Sequence, residues 1–525
     1  MSSIPVSNLL AEKQQVIGSL MERNVLFAGD VLEVLKRITS SEDLNLLSGL
    51  LQNYGNGTAT VGVAEIQSLL EQSADLGSWP GLTRLQQLFS QPRADIPSST
   101  PFPAVRIISS YRDRPKRREV NDFVQYFNVR YQKLRAILQQ RAELTNLSSI
   151  GRLKGKRDRE AISLIGMIAD RQLTKNGNMM LTVEDPSGTL KVLINKNRPD
   201  LSAAARDLVF DEVIGITGVA GDGIVFANGI VHPDVPISKE LKRADDEVYA
   251  IFLSDIHVGS KKFLGNEFAK FLEWIRGETG NAQQRMIAKK VRYVFIMGDI
   301  VDGVGIYPGQ EKELALLDVH AQYAEVAELL KRIPSEINII MCPGNHDSMR
   351  ISEPQPAFYR DFSAALFDIP NITLVTNPGM VNIHASERFP GFDVLLYHGY
   401  SFDYYIANVD SIRLNGGYDR ADLIMKFLLQ KRHLAPTHSS TLYLPDHTDD
   451  PLVVDRVPDF FATGHLHKTA VATYRNVTLI SGSCWQARTS FQEKMGHHPE
   501  PARVPMVNLR TREIKILRFD EVRHG

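Results

Sequence analysis

YVFIMGDIVDG, residues 293–303, decides how the chain folds. Its first five residues are apolar throughout, which is the pattern of a strand buried on both faces of a sheet. Gly298 then lets the backbone turn sharply, and the carboxylates Asp299 and Asp302 follow at once. Four more runs repeat the design: VYAIFLSDIH (248–257), INIIMCPGNHD (337–347), VLLYHG (394–399) and FFATGHLH (460–467). Each run ends in residues able to hold a metal. From about Ala244 onward such runs alternate with helical segments, which predicts an α/β or α+β sandwich. In sheets covered by helices, the loops leaving the carboxyl ends of strands converge while the sheet holds them rigid.

Asp255 and His257 stand two residues apart on the exit from one strand, so both can turn toward a single ion, with His467 as its further ligand. Asp299 is the natural bridge, because a carboxylate has two oxygens and enough charge to hold two divalent ions about 3.5–4 Å apart. Asn345, His398 and His465 complete the second ion. Imidazole, carboxylate and amide oxygen together favour Mn, Mg, Zn or Fe over copper or an iron–sulfur cluster. Mn²⁺ or Mg²⁺ is the first expectation. Asp302 and Asp347 each admit two readings, as a carboxylate that orients a ligand histidine or as a loop cap. His384, His433, His438, His447, His497 and His498 are expected at the surface, and Cys342 in the core.

In that order, DIH, GDIVDG, GNHD, HG and GHLH resemble the five motifs of the calcineurin-like metallophosphoesterases, over roughly Val248 to Ser483. The resemblance implies a double-layered β-sandwich flanked by helices and hydrolysis of a phosphate ester. It also implies His346 as the general acid that protonates the leaving oxygen, with a water between the two ions as nucleophile. Elementary chemistry agrees, since paired ions acidify water and a histidine titrating near neutrality can supply a proton. Serine/threonine phosphatases of this superfamily carry an arginine after GDxVD. Gly303 stands there in this chain, which argues against a protein phosphatase.

Upstream, the reading is of a multidomain α+β chain. Residues 1–75 carry apolar residues at helical spacing (Val25, Leu26, Val31, Leu32, Val34, Leu35), with Ser40 and Ser41 as caps before the next helix, and predict a small helical N-terminal domain. Residues 76–120 read as a Pro/Ser-rich and basic linker ending in YRDRPKRREV. Residues 121–150 hold a basic amphipathic helix. Its stripe is Phe123, Tyr126, Phe127, Tyr131, Leu134 and Leu138, and Arg130, Lys133 and Arg135 are expected on the other face, toward water or DNA. Residues 151–240 show short β-rich runs with turns at KNGN, DPSG and AGDG, and predict an OB-fold barrel, used for packing or for holding a single strand. The phosphoesterase domain is assigned to 241–525.

Composition narrows the setting. Lys and Arg total 60 against 61 Asp and Glu, so contact with nucleic acid has to come from local patches rather than from the net field. Two cysteines, Cys342 and Cys484, stand outside any CxxC pair, which argues against a disulfide framework or a cysteine zinc site. No stretch reaches the roughly 18 apolar residues that span a bilayer, and MSSIPVSNLLAEKQQVIG lacks a secretory pattern, so a cytoplasmic chain is expected.

The order of helical domain, linker, DFVQYFNVRYQKLRAIL, barrel and phosphoesterase, together with LLQKRHLAPTH at 428–438, resembles the small subunits of archaeal D-family DNA polymerases. That resemblance implies a proofreading 3′-to-5′ exonuclease that acts on single-stranded 3′ ends and pairs with a large polymerase subunit. Related eukaryotic B subunits keep the barrel and sandwich but have degraded ligand positions, whereas this chain keeps its ligand residues. The alternatives are a tethering subunit without activity and a free-standing metal-dependent phosphodiesterase.

Overall fold

The computed structural model of the chain describes residues 25–27, 38, 40–52, 59–61, 66, 70, 85, 105–111, 116–153, 159–446, 448–494 and 496–520. They fall in two compact units, Met1–Pro101 and Phe102–Gly525. In the first, helix α1 (Ser41–Gln52) buries Leu44, Leu47 and Leu51, in keeping with the helical spacing there. Strands β1 (Val25–Phe27) and β2 (Ala59–Val61) pair in parallel. Val25 and Leu26 are therefore strand residues, not part of a helix. Val31, Leu32, Val34 and Leu35 lie outside the described residues.

Inside the stretch read as linker, Arg106–Ser110 forms strand β3, which pairs antiparallel with a strand some 270 positions downstream. Only a distant partner turns this segment into a strand, and no local pattern signals it. Residues 112–115 of the basic run lie outside the described residues.

Helix α2 (Val120–Leu138) comes next, followed by a closed barrel of β4 (Ala161–Leu173), β5 (Met179–Asp185), β6 (Gly188–Ile194), β7 (Val213–Ala220) and β8 (Ile224–Val231) in the order β4-β5-β6-β8-β7. A short helix, α3 (Pro199–Arg206), connects β6 to β7 and was not anticipated. Inward residues such as Leu164, Leu181, Val183, Val192 and Ile216 fill the barrel.

Two six-stranded sheets follow. One has the order β12-β11-β10-β9-β18-β19, where β9 is Tyr249–Leu253, β10 Val291–Met297, β11 Asn338–Cys342, β12 Ile372–Leu374, β18 Arg503–Asn508 and β19 Ile514–Arg518. The other has the order β16-β17-β15-β14-β13-β3, where β13 is Gly379–Ile383, β14 Phe392–Leu396, β15 Phe460–Thr463, β16 Ala470–Tyr474 and β17 Val477–Ser481. Alternation along each strand explains the continuous apolar runs. Ala250, Phe252, Phe295 and Ile340 meet Val394, Phe460 and Ala462 between the sheets. Their neighbours Ile251, Leu253, Val294 and Ile296 face outward under helices α4 (Gly265–Ile275) and α5 (Val319–Leu330). On the far side, Leu395, Tyr397 and Phe461 are covered by helices α6 (Phe402–Asn408) and α7 (Ala421–Lys431). With both faces covered, successive positions of runs such as YVFIM and YAIFL are apolar, while the buried polar residues of β13 and β14, Asn382 and Asp393, bond one another.

Helix α2 joins barrel to sandwich. Tyr131, Leu134 and Leu138 pack with Ile165, Met167, Val213 and Val231 of the barrel. Arg130, expected on the polar face, is fully buried. It lies four residues from both Tyr126 and Leu134, within the buried stripe, and its guanidinium donates to Asp450 Oδ2 at 2.7 Å. Tyr126 donates its hydroxyl to Asp450 Oδ1 at 2.6 Å. The segment LLQKRHLAPTH closes this joint. Lys431 pairs with Glu212 of the barrel at 2.7 Å, and Arg432 donates to the carbonyls of Asp234, Val454 and Asp455. His433 Nε2 lies 2.9 Å from Asp450 Oδ2.

His433 is thus buried rather than at the surface, and so is His384, whose Nε2 lies 2.7 Å from Asp246. His438 and His498 are exposed, and His447 lies outside the described residues. The amide of Ala435 donates to His433 Nδ1, so Nε2 carries the proton of a neutral ring. Burial, reinforced by the Arg130 charge, pushes His433 down to about 4. In the unfolded chain the ordinary value is about 6.5. Between these values the unfolded state binds the extra proton, so stability falls as pH drops from about 6.5 toward 4, by on the order of 3 kcal/mol at full extent. Urea unfolding of wild type and His433→Gln near pH 7 and pH 4.5 measures this. The variant should lose less stability over the interval, and equal losses would remove His433 as the cause.

Candidate metal centre

The carboxyl ends of β9, β10, β11, β14 and β15 deliver the predicted ligand residues to one place. The turns that aim them are strained: Asp255, His257, Asp299, His465 and His467 all have φ between 50° and 72°. Left-handed backbone in non-glycine residues costs about 1 kcal/mol or more each and persists where the surroundings force it, typically at functional sites. Glycines supply the close approaches. A Cβ on Gly298 would stand 2.6 Å from His398 Nδ1, and one on Gly464 would overlap Ser254 Oγ.

Three side chains, Asp255, His257 and His467, form one convergent group; Asp299, His398 and His465 form a second. Asp299 Oδ2 lies between them, 3.2 Å from His398 Nε2 and 4.0 Å from His257 Nε2. Asn345 Oδ1 lies 3.0 Å from His398 Nε2 and 3.1 Å from His465 Nδ1, within the second group. His257 and His467 face each other across 3.1 Å between their Nε2 atoms.

The donor set fits divalent cations. His398 Nδ1 lies 2.7 Å from the Met297 carbonyl and donates to it, so a neutral ring turns the lone pair of Nε2 toward two oxygens that are themselves acceptors. Likewise His257 Nδ1, 3.1 Å from Asp302 Oδ1, leaves the lone pair of Nε2 facing His467. Gln492 donates to His467 Nδ1 and so leaves the hydrogen of a neutral His467 on Nε2, facing His257. Around His398, by contrast, lone pairs that converge without a hydrogen between them call for positive charge. A proton can serve in part: burial opposes it, but the carboxylate of Asp299 prevails and holds His398 up to about 10.

Asp302 has two tasks. Its carboxylate takes His257 Nδ1 and the Gln486 amide, while its backbone carbonyl lies 2.8 Å from His346 Nδ1. Of the two readings open for Asp302, the orienting one matches this geometry. Asp347 instead accepts the backbone N–H groups of Asp299 (2.9 Å) and Gly344 (2.8 Å), which ties two ligand loops together, and burial followed by the Asp299 charge pushes it up to about 8. His346 is anchored twice, through its side chain on Asp302 and through its N–H to Asp299 Oδ1 at 2.7 Å. Burial draws its pKa below the ordinary value, against the pull of Asp299.

A cavity of about 300 Å³ opens on these residues. Its walls include residues that sequence reasoning missed: Asp403, Gln486 and Gln492, and the aromatic rings of Tyr307, Tyr400 and Tyr418. His497, expected at the surface, is half-buried in the same wall and packs on Tyr418 with ring centroids 4.3 Å apart. None of these stands in a motif, and only the folded loops bring them near.

Residues 250–469 match the family model for calcineurin-like phosphoesterases, a span that includes all seven ligand candidates and His346. The DNA polymerase II small subunit of Methanothermobacter thermautotrophicus is 41% identical over 390 residues, which is 74% of this chain and 78% of that protein. The chain belongs to the family of DNA polymerase II small subunits. Its counterpart in Archaeoglobus fulgidus is 40% identical over 386 residues, covering 73% of this chain and 74% of that protein. In Pyrococcus furiosus the small subunit is 36% identical over 403 residues, 76% of this chain and 64% of the relative. As a family member, the chain combines a phosphoesterase domain with a five-stranded barrel. Among the described residues, no helix is long and apolar enough to cross a membrane.

Proposed function

We propose that this small subunit is the proofreading 3′-to-5′ exonuclease of a DNA polymerase, removing nucleotides from single-stranded 3′ ends beside a large subunit that carries the polymerase site. The observation that carries the reading is the complete donor set, two convergent groups joined by Asp299 with His346 anchored next to them. A subunit that only tethers a partner has no use for five strained ligand residues. A free-standing phosphodiesterase has no use for the barrel, whose strand order supports an oligonucleotide/oligosaccharide-binding type.

Asp255, His257 and His467 would hold one ion, Asn345, His398 and His465 the other, and Asp299 both. When bound, a pair of divalent ions, Mn²⁺ or Mg²⁺ before Zn²⁺ or Fe, neutralises the phosphate and acidifies water. The chain's own residues do the rest. Asp302 fixes two rings at once, so His257 and His346 keep their relative placement. His346 donates Nδ1–H to the Asp302 carbonyl, which leaves Nε2 to take up the second proton of the imidazolium and pass it to the leaving 3′ oxygen as the phosphorus–oxygen bond breaks, returning the ring to neutral. At about 300 Å³ the cavity is at the small end for ligand sites, a size suited to one unpaired terminal nucleotide rather than a duplex. Such a chain works in the cytoplasm, where the DNA is.

The test incubates the purified chain, alone and with its large subunit, with 3′-labelled and 5′-labelled single strands in Mn²⁺, Mg²⁺ or chelator. Metal-dependent shortening from the 3′ end is the expected result. No hydrolysis in any mixture, despite bound metal, would favour a tethering role or a different phosphate ester.

A further inference from the structure

We infer that Asp403 is a positioning residue that keeps His465 in the tautomer able to hold an ion, an inference that rests on the two-ion reading above. Asp403 is the second residue of α6, and its Oδ2 lies 3.0 Å from His465 Nε2. The other ring nitrogen, Nδ1, lies 3.1 Å from Asn345 Oδ1, on the side of the group formed with Asp299 and His398. A neutral imidazole carries one N–H. If that hydrogen sits on Nδ1, it is donated to Asn345 Oδ1, and one internal hydrogen bond withdraws two ligand atoms together. If it sits on Nε2, both the Nδ1 lone pair and the Asn345 oxygen stay open. Asp403 accepts only from Nε2–H, so it selects the second state.

Two further observations agree. Two of the other ligand histidines likewise have an acceptor on the nitrogen away from their group: His257 has Asp302 and His398 has the Met297 carbonyl, whereas His467 Nδ1 meets the amide nitrogen of Gln492, a donor. Asp403 is itself held, since the Tyr418 hydroxyl donates to it and His497 packs on the Tyr418 ring. Orienting carboxylates of this kind change metal affinity about 10- to 100-fold when removed.

The experiment is calorimetric Mn²⁺ titration of the full chain, with electron paramagnetic resonance to resolve the two ions, in wild type, Asp403→Ala and Asp403→Asn. Asp403→Ala should weaken one ion about 10- to 100-fold and leave the other within about twofold. Asp403→Asn keeps an oxygen that accepts Nε2–H and should recover most of the loss. Unchanged affinity for both ions in Asp403→Ala overturns the role, and so does equal weakening of both, which would mark general damage to the fold. Wild-type protein that binds fewer than two Mn²⁺ would instead overturn the two-ion reading, and this inference with it.

Discussion

Asp299→Ala should abolish hydrolysis and release metal, whereas His346→Ala should lower the rate about 10²- to 10⁴-fold with metal content unchanged. The two residues are adjacent in space, yet their contacts differ in kind. Asp299 Oδ2 stands between the two histidine groups, so its loss removes a carboxylate that both face. It also removes the acceptor of the His346 N–H, which loosens the loop that carries Asn345. His346 converges with His257 and Asp302, but its Nδ1 is committed to a carbonyl, and its ring meets His257 edge to face with centroids 4.8 Å apart and no hydrogen bond between them. Metal analysis of the purified variants, together with single-turnover hydrolysis of a labelled single strand, separates the two outcomes. Equal metal loss in both variants would show that His346 holds an ion and is not a proton donor.

Legibility followed the range of the interactions. Strands buried on both faces favour apolar residues at successive positions, and a run such as YVFIM shows that without reference to a partner. The turn that ends it has to reverse within two residues, so the ligand directly follows the strand and the motif is local. The same holds for GNHD and GHLH. Asp403 belongs to the centre only because α6 folds back over β15, and FDYY carries no mark of that. The burial of Arg130 is hidden for a related reason. A guanidinium in a helix is ordinarily on the wet face, and nothing in YFNVRYQKL says that a carboxylate more than 300 residues away awaits it. Spacing did contain a hint, since 126, 130, 134 and 138 form one unbroken i, i+4 row in which Arg130 takes the place of an apolar residue. Buried His433 and the strand at Arg106–Ser110 were hidden likewise, because each is defined by a partner that is distant in the chain.

Arg130→Ala should cost the fold about 3–5 kcal/mol, a large share of the stability of an ordinary domain. Both members of the pair with Asp450 are fully buried, so removing the guanidinium leaves a carboxylate in an apolar place with the Tyr126 hydroxyl, the Leu452 N–H and neutral His433 to solvate it. Arg130 also donates to the Pro436 carbonyl and lies 4.7–5.3 Å from the ring centres of Tyr126, Phe127 and Tyr443, so packing is lost with the charge. The sign of the Asp450 shift agrees. Burial opposes ionisation, but Arg130 and then His433 hold the carboxyl well below its usual range, so the stability it contributes is present above about pH 4 and lost below it. Denaturant unfolding of Arg130→Ala, Asp450→Ala and the double variant decides the matter. Each single change should cost several kcal/mol, and the double variant should cost clearly less than their sum, because it leaves no unpaired charge. Strict additivity would mean that the two groups do not stabilise one another, and a loss under about 1 kcal/mol in Arg130→Ala would mean that the hydroxyl and imidazole suffice for Asp450.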